Sequence, residues 1–442
     1  MRSETFIAVA LAFRLVAQQP TPSVSQSAPA APGGQPITLD LKGAIERARD
    51  YSQQYLQAYT ATGLTKEDRV QAKAALFPTL SVLNQYIYTQ PNGTPSGVFV
   101  ANDGVHVYNE QAVAHAELFS LAKRAEYQRT LAAEAAARAR QEIASRGLIA
   151  AVVQSYYTLI LSERHETNAG RGLEEARTFF DITRKQERGG EVARADVIKA
   201  QLQLQQRERD LLDAQTAVLK ARIALGVMLF PDPMQPYAIT DDITPDLPLA
   251  PLVELNPLAK ATSPDIRAAE ASLRQSDAAI RVAQGAYYPS LVSDYFYGIN
   301  SNVLDVRGPE DRKNLGSAVQ GSITIPVWNW GATRSKVRQA QLQKQQAVND
   351  LTFVQRELQS ALATLYIEVQ TAKSQLESLR GSLDLAAESL RLTLLRYEAG
   401  EATALEVADA QTTLVQARNA RDDGLARYRI AVAGLQTLTG RL

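Results

Sequence analysis

The chain has 442 residues, in which 47 Lys+Arg balance 47 Asp+Glu, with three histidines and no cysteine. The balance excludes a general nucleic-acid footprint, and the missing cysteine excludes disulfides, thiolate metal sites, a Cys nucleophile and a lipid anchor on an N-terminal cysteine. His106, His115 and His165 are too scattered for a metal-ligand cluster.

No run of 18 or more apolar residues reads as a membrane-spanning helix. No nucleophile elbow, phosphate loop or metal motif is present, so the expectation is a non-enzyme without cofactors.

Residues 1–17 read as a signal peptide: Arg2 gives a positive start, Phe6 to Phe13 a short apolar core, and Leu15-Val16-Ala17 a cleavage site. Residues 18–36 hold five of the 19 prolines among Gln, Ser, Ala and Gly, the composition of a linker. From Ile37 a helical pattern begins, capped by Asp40, and a second helix is expected from about Thr65 to Phe77. Pro78 ends it. Alternation then sets Leu80, Val82, Tyr86 and Tyr88 against Thr79, Ser81, Gln85 and Thr89, a half-buried strand of about ten residues. A loop from Pro91 to Gly104 leads to a second strand, about Val105 to Ala116. The helical period returns from about Leu118 to Glu187, breaks at Gly189-Gly190, and resumes with Val197, Ala200, Leu204, Leu211, Ala214, Val218 and Leu225.

Residues 231–264 contain eight prolines, a proline-rich connection that separates a first unit (37–230) from a second (265–442). In the second unit a helix opens at Pro264-Asp265 and ends at Pro289. Strands follow with Leu291, Tyr295, Tyr297 and Ile299, then Val319, Ile323, Ile325 and Val327, separated by a charged loop from Asp305 to Asn314. From Trp330 to Leu442 there is no proline. Leu358, Leu362, Leu365, Val369, Ala372, Leu376, Leu379, Leu383, Ala386, Leu390, Thr393 and Tyr397 keep a 4-3 spacing that fills both seam positions of a heptad pattern. The pattern breaks at Ala399-Gly400-Glu401 and resumes with Val407, Ala410, Leu414, Ala417, Gly424 and Tyr428. Gly400 suits a left-handed turn between two antiparallel arms, and the first arm is about 100 Å long at 1.5 Å per residue.

The two units superpose at an offset of about 210: Ala75-Leu-Phe-Pro78 on Ala286-Tyr-Tyr-Pro289, Gly190-Glu191 on Gly400-Glu401, and Val197, Ala200 and Leu204 on Val407, Ala410 and Leu414. Each unit supplies two strands long enough to cross a bilayer when tilted. Lipid tolerates only a closed sheet, and four strands cannot close one, since about eight is the practical minimum. The chain is therefore expected to be an oligomer. The two short arms laid end to end would match the long arm and give a wall of even height.

The duplicated order, the Ala-x-x-Pro-Ser/Thr-Leu junctions around Pro78 and Pro289, the run Ile325-Pro326-Val327-Trp328-Asn329-Trp330-Gly331, and Arg396-Tyr397-Glu398-Ala399-Gly400-Glu401 before Leu405-Glu406-Val407-Ala408-Asp409-Ala410 resemble the TolC-like outer membrane efflux protein family. The resemblance covers about residues 37–442. It implies a mainly α fold with a membrane β-barrel part: long helical hairpins form a periplasmic α-barrel, and four strands per chain enter a trimeric 12-stranded outer-membrane β-barrel. It implies a homotrimer in outer-membrane lipid, docked to a periplasmic adaptor protein and an inner-membrane pump. Two departures are that Ala122 stands where the second unit has Gly331, and that Lys199 replaces the acid found at Asp409.

The resemblance places adaptor docking at the tip turns, Gly190, Glu191, Val192 and Ala193 with Gly400, Glu401, Ala402 and Thr403. It places the periplasmic aperture at Glu406 and Asp409, with Asp196 equivalent to Glu406, and with Tyr397, Lys199, Arg188 and Arg194 nearby, the three cations as ion-pair partners. Converging carboxylates would form a cation filter. Tyr86, Tyr88, Tyr295, Phe296, Tyr297, Trp328 and Trp330 are expected to serve an interfacial aromatic girdle. The rival reading is a soluble coiled-coil scaffold or adaptor without a pore, against which the strand alternation and its aromatic residues stand.

Overall fold

The structure, a computed structural model, describes residues 37–89, 105–243, 250–307 and 313–441. The expected signal peptide and linker, the loop from Pro91 to Gly104, and parts of the proline-rich connection and the charged loop lie outside the described residues. In chain order the elements are β1 (Ile37–Leu39), α1 (Leu41–Tyr51), α2 (Gln53–Ala74), β2 (Thr79–Tyr88), β3 (His106–Phe119), α3 (Leu121–Gly189) and α4 (Arg194–Leu229). Then come β4 (Tyr237–Ile239), α5 (Leu252–Thr262), α6 (Pro264–Gly285), β5 (Ser290–Ser301), β6 (Leu315–Thr324), α7 (Ala332–Glu398) and α8 (Ala404–Leu438).

The duplication is visible in the lengths. α1 and α5 have 11 residues each, α2 and α6 have 22 each, α3 and α7 have 69 and 67, and α4 and α8 have 36 and 35. Side-chain caps set the starts of α1, α2 and α6: Asp40 accepts from the Gly43 amide at 2.8 Å, and Ser52 and Ser263 begin α2 and α6 in the same way. Two expectations are corrected here. Ile37–Leu39 is a strand paired in parallel with β4, so the helix starts only after Asp40. α2 begins at Gln53, twelve residues before the expected Thr65, because Leu56, Tyr59 and Leu64 point to no core within the chain and leave no apolar stripe to read.

The four longer strands form one antiparallel sheet in the order β2-β3-β5-β6. Its register sorts side chains by face. One row runs Leu80, Ala114, Tyr295, Val319 and the next on that face Val82, Ala112, Tyr297, Ser317; the intervening rows of the other face run Thr79, His115, Asp294, Gln320 and Ser81, Val113, Phe296, Ala318. One face is therefore largely apolar and the other largely polar. Phe296 falls on the polar side, out of phase with Tyr295 and Tyr297, so it leaves the expected girdle.

The helices continue the sheet as a single layer. Next to the sheet the neighbours run α2-α3-α6-α7; beyond the waist they run α4-α3-α8-α7. α6 meets the first part of α3 through Arg281–Gln128 at 2.9 Å, and α4 meets the last part through Arg222–Glu163 at 3.0 Å. The short arms thus succeed one another along the long arm. All twelve seam positions from Leu358 to Tyr397 are buried or half-buried, and each fully buried leucine or valine there is worth about 1.5–3 kcal/mol relative to exposure.

At the waist Leu148, Ile149, Val152, Val153, Tyr156, Tyr157, Leu159 and Ile160 of α3 pack with residues of β1, α1, α4 and β4. Tyr156 donates to the Thr240 carbonyl at 2.6 Å and Tyr237 to the Arg222 carbonyl at 2.6 Å. Burial pushes the Tyr237 phenol up to about 12 and raises Tyr156 as well. Although no unbroken run of 18 apolar residues exists, α3 contains one 18-residue window, mean hydropathy 1.2, that is long and apolar enough to cross a membrane by length and composition alone. The packed waist core accounts for the apolarity of this part of α3.

Candidate tip aperture and hairpin turns

The far end of the layer is made by the α3–α4 and α7–α8 turns. Both use the same backbone device. Gly190 and Gly400 each sit at φ +78, the amide of Glu191 bonds the Gln186 carbonyl at 2.9 Å, and that of Glu401 bonds the Arg396 carbonyl at 2.8 Å. This is the six-to-one bond of a glycine-terminated helix. A Cβ added at either glycine would meet nothing within 4 Å, so backbone conformation alone selects glycine. Glu191, Ala193, Glu401 and Thr403 are exposed, whereas Val192 and Ala402 are half-buried against the tip core of Phe179, Ala200, Leu390, Tyr397, Ala404 and Val407.

The two turns differ in how the return helix starts. α4 begins at Ala193 with no side-chain cap, while α8 begins with a capping box in which Thr403 accepts from the Glu406 amide and Glu406 accepts from the Thr403 amide at 3.1 Å. Arg396 lies 3.4 Å from the other Glu406 oxygen. The Thr403 hydrogen bonds first, then the Arg396 charge, hold the Glu406 carboxyl below the usual glutamate range.

Asp409 is exposed, three residues on, and its side chain bonds nothing among the described residues. Lys199 pairs with Asp196 at 3.4 Å, and Arg188 and Arg194 are exposed with no ion pair among the described residues. Within one chain, therefore, none of the three expected cations reaches Glu406 or Asp409; the partner of Glu406 is Arg396, from its own hairpin.

Tyr397 is buried. Its ring meets Phe179 edge-on at 5.1 Å, and its hydroxyl donates to the Thr183 Oγ1 at 3.1 Å. Burial raises the Tyr397 phenol above its ordinary value. Farther from the tip the hairpins are cross-linked by Gln411 to the Glu175 carbonyl at 3.1 Å, Arg207 to Thr412 at 2.7 Å, and buried Asn168 to buried Asp422 at 2.9 Å. Thr403 belongs to an S/T-x-x-E box legible in the sequence. Phe179, Thr183 and Asn168 carry no comparable signal, because their partners are over 200 residues away.

At the helix-to-strand junctions Pro78 and Pro289 stand just before β2 and β5, and Pro326 just after β6. Gly331 starts α7 at φ +82. Its counterpart is Ser120, which caps α3 by accepting from the Lys123 amide, and not Ala122. Ala122 instead faces Gly285, where a Cβ would come within 2.8 Å of the Ala122 backbone.

The sequence profile of the family described as outer membrane efflux protein matches residues 44–229 and 255–441. The chain is 27% identical over 321 residues to outer membrane protein OprJ of Pseudomonas aeruginosa, covering 70% of this chain and 63% of that protein. It is 24% identical over 271 residues to the cobalt-zinc-cadmium resistance protein CzcC of Cupriavidus metallidurans, covering 61% and 62%. The matched region thus spans a little over three-fifths of these relatives. Among solved structures, the CmeC outer membrane channel of Campylobacter jejuni superposes with a TM-score of 0.79 at 18% identity, covering 91% of this chain and 85% of that one. Fold, duplicated order and profile agree: the chain belongs to the TolC-like outer membrane efflux protein family, whose place is the outer membrane.

Proposed function

We propose that three copies of this chain close into a passive exit duct, a β-barrel in the outer membrane continued by a periplasmic α-barrel, which docks to a periplasmic adaptor and an inner-membrane pump. The observation that carries this reading is that the layer is open on both sides and apolar on both. β2 exposes Leu80 and Val82, and β6 exposes Val319 and Ile323. α2 exposes Leu56 and Leu64, α4 exposes Leu202, Leu212 and Leu219, and α7 exposes Leu342, Phe353 and Ile367. The two edges are made of different elements, so copies join head to tail, and such contacts close into a ring. Three copies bring twelve strands, above the minimum of about eight.

The tip turns at Gly190 and Gly400 would meet the adaptor, and the ring of Asp409 and Glu406 would line the aperture. Selection among drugs, metals or proteins would rest with the pump. A soluble scaffold is the weaker reading, because it gives no account of a sheet with one apolar face and two open edges.

Native mass spectrometry of the membrane fraction in mild detergent tests the reading. A trimeric mass is expected. A monomer in the soluble fraction would end it.

A further inference from the structure

Trp330 is the one non-glycine residue with positive φ among the described residues, at +55. With Gly331 at φ +82 it forms two consecutive left-handed positions, closed by a hydrogen bond from the Ala332 amide to the Asn329 carbonyl at 3.0 Å. Such a turn favours Asn, Asp or Gly at its first central position, and a bulky residue there is strained. No contact among the described residues offsets that strain. Trp330 is 89% exposed, and its one ring partner among the described residues is Trp328, edge-on at 5.8 Å and itself 75% exposed. A strained conformation persists where surroundings over-determine it, and here the chain alone supplies no such surroundings.

The duplication supplies a template for what does. At the offset of 211 seen in α2 and α6, Phe119 corresponds to Trp330, Tyr288 to Phe77, Leu291 to Leu80 and Leu121 to Ala332. Inside the chain the first member of each pair lies at one seam: Phe119 pairs in register with Leu291, and Leu121 and Tyr288 line the same cleft. The equivalent seam for the second member would join β6 and α7 to β2 and α2, which are the two open edges. Phe77 is 61% exposed at that edge.

We propose that Trp330 packs against the Leu76-Phe77-Pro78 junction of a second copy, and that this contact holds the left-handed turn in place. The inference rests on the ring closure proposed above and adds the residues that lock its seam. The internal seam has an extended Ser120 where the edge has Gly331, so among the described residues the paired left-handed device stands at the open edge and not at the internal seam.

The chain has two tryptophans, both here, so its whole indole fluorescence reports this seam. Trimers in liposomes should emit on the blue side and resist both aqueous acrylamide and brominated phospholipid. Asparagine tolerates a left-handed turn, so Trp330→Asn relieves strain while deleting the ring. It should lower the trimer dissociation temperature by about 5 °C or more, as should Phe77→Ala, and the double variant should lose less than the sum of the two.

Strong quenching by brominated lipid would make the pair a lipid anchor and overturn the proposal. A Trp330→Asn trimer as stable as the parent, or more so, would overturn it too. Either result leaves ring closure standing, whereas a parent protein that is never trimeric refutes the reading beneath it.

Discussion

Tyr397 of α7 and Thr183 of α3 are joined hydroxyl to hydroxyl at 3.1 Å across 214 positions of sequence, and Thr183 passes the bond on to the Phe179 carbonyl at 2.9 Å. The pair ties one hairpin to the other just behind the tip turns. In the proposed duct, a bond between hairpins at the tip would bear directly on whether that end can widen.

Tyr397→Phe keeps the ring on Phe179 and removes only this bond, at a cost of about 1 kcal/mol. Thr183 stays satisfied through Phe179. Purified channels in planar bilayers should then spend more time conducting, with trimer yield unchanged. Conductance traces identical to those of the parent would show that the bond does not restrain the tip.

Gly400→Val places a β-branched residue at φ +78 and should destabilise the turn by about 1–2 kcal/mol. Because no atom crowds the added Cβ, Gly400→Asn should be nearly neutral. Drug or metal resistance in cells, compared at equal surface level, should fall for valine and hold for asparagine. The same contrast is expected at Gly190, which has the same φ.

The charges at the proposed aperture are unequal. Glu406 is engaged by Thr403 and Arg396, while the Asp409 carboxylate is unpaired among the described residues. Asp409→Asn should therefore reduce cation preference more than Glu406→Gln does, and the double variant should weaken block by a trivalent cation most. Reversal potentials unchanged in all three would remove both residues from the pore, since on an outer face salt would screen them beyond about 8 Å.

The waist carries an alkaline limit. Below about pH 10 the Tyr237 phenol is neutral both folded and unfolded. From there to about 12 only the unfolded chain ionises, so the raised native value makes stability fall as pH rises through that window. The thermal midpoint should drop above pH 10, and Tyr237→Phe should flatten that drop while costing about 1 kcal/mol at neutral pH through the lost bond to Arg222. An equal alkaline slope in both proteins would assign the loss elsewhere.

Much of the helical framework was legible because its signal is local and periodic. The long arm is expected to break at Ala399-Gly400-Glu401, and α7 ends there, at Glu398, because Gly400 punctuates it and the seam before it is regular. α2 is longer than its pattern suggests because Leu56, Tyr59 and Leu64 are exposed and break the apolar stripe. β1 is three residues long and pairs with a strand 200 residues away, too short for alternation to register. Phe296 was grouped with its aromatic neighbours by type, although a period of two puts it on the opposite face. At the tip the glycines were legible by conformation, but the engagement of Glu406 by Arg396 depends on how a turn folds back, which spacing alone does not give.

α3 and α7 run the length of the helical layer, yet both change partners at the waist: α3 from α2 and α6 on the sheet side to α4 and α8 on the tip side, and α7 from α6 to α8. Mechanically, each long helix is a shaft carried in two separate bearings. A sideways load at the tip shifts α4 and α8 against the shaft without dragging α2 or α6, which are distinct segments joined only through the waist. In the proposed duct the lower aperture would therefore dilate while the membrane ring keeps its diameter, because the couplings that would carry strain from one to the other are interrupted midway.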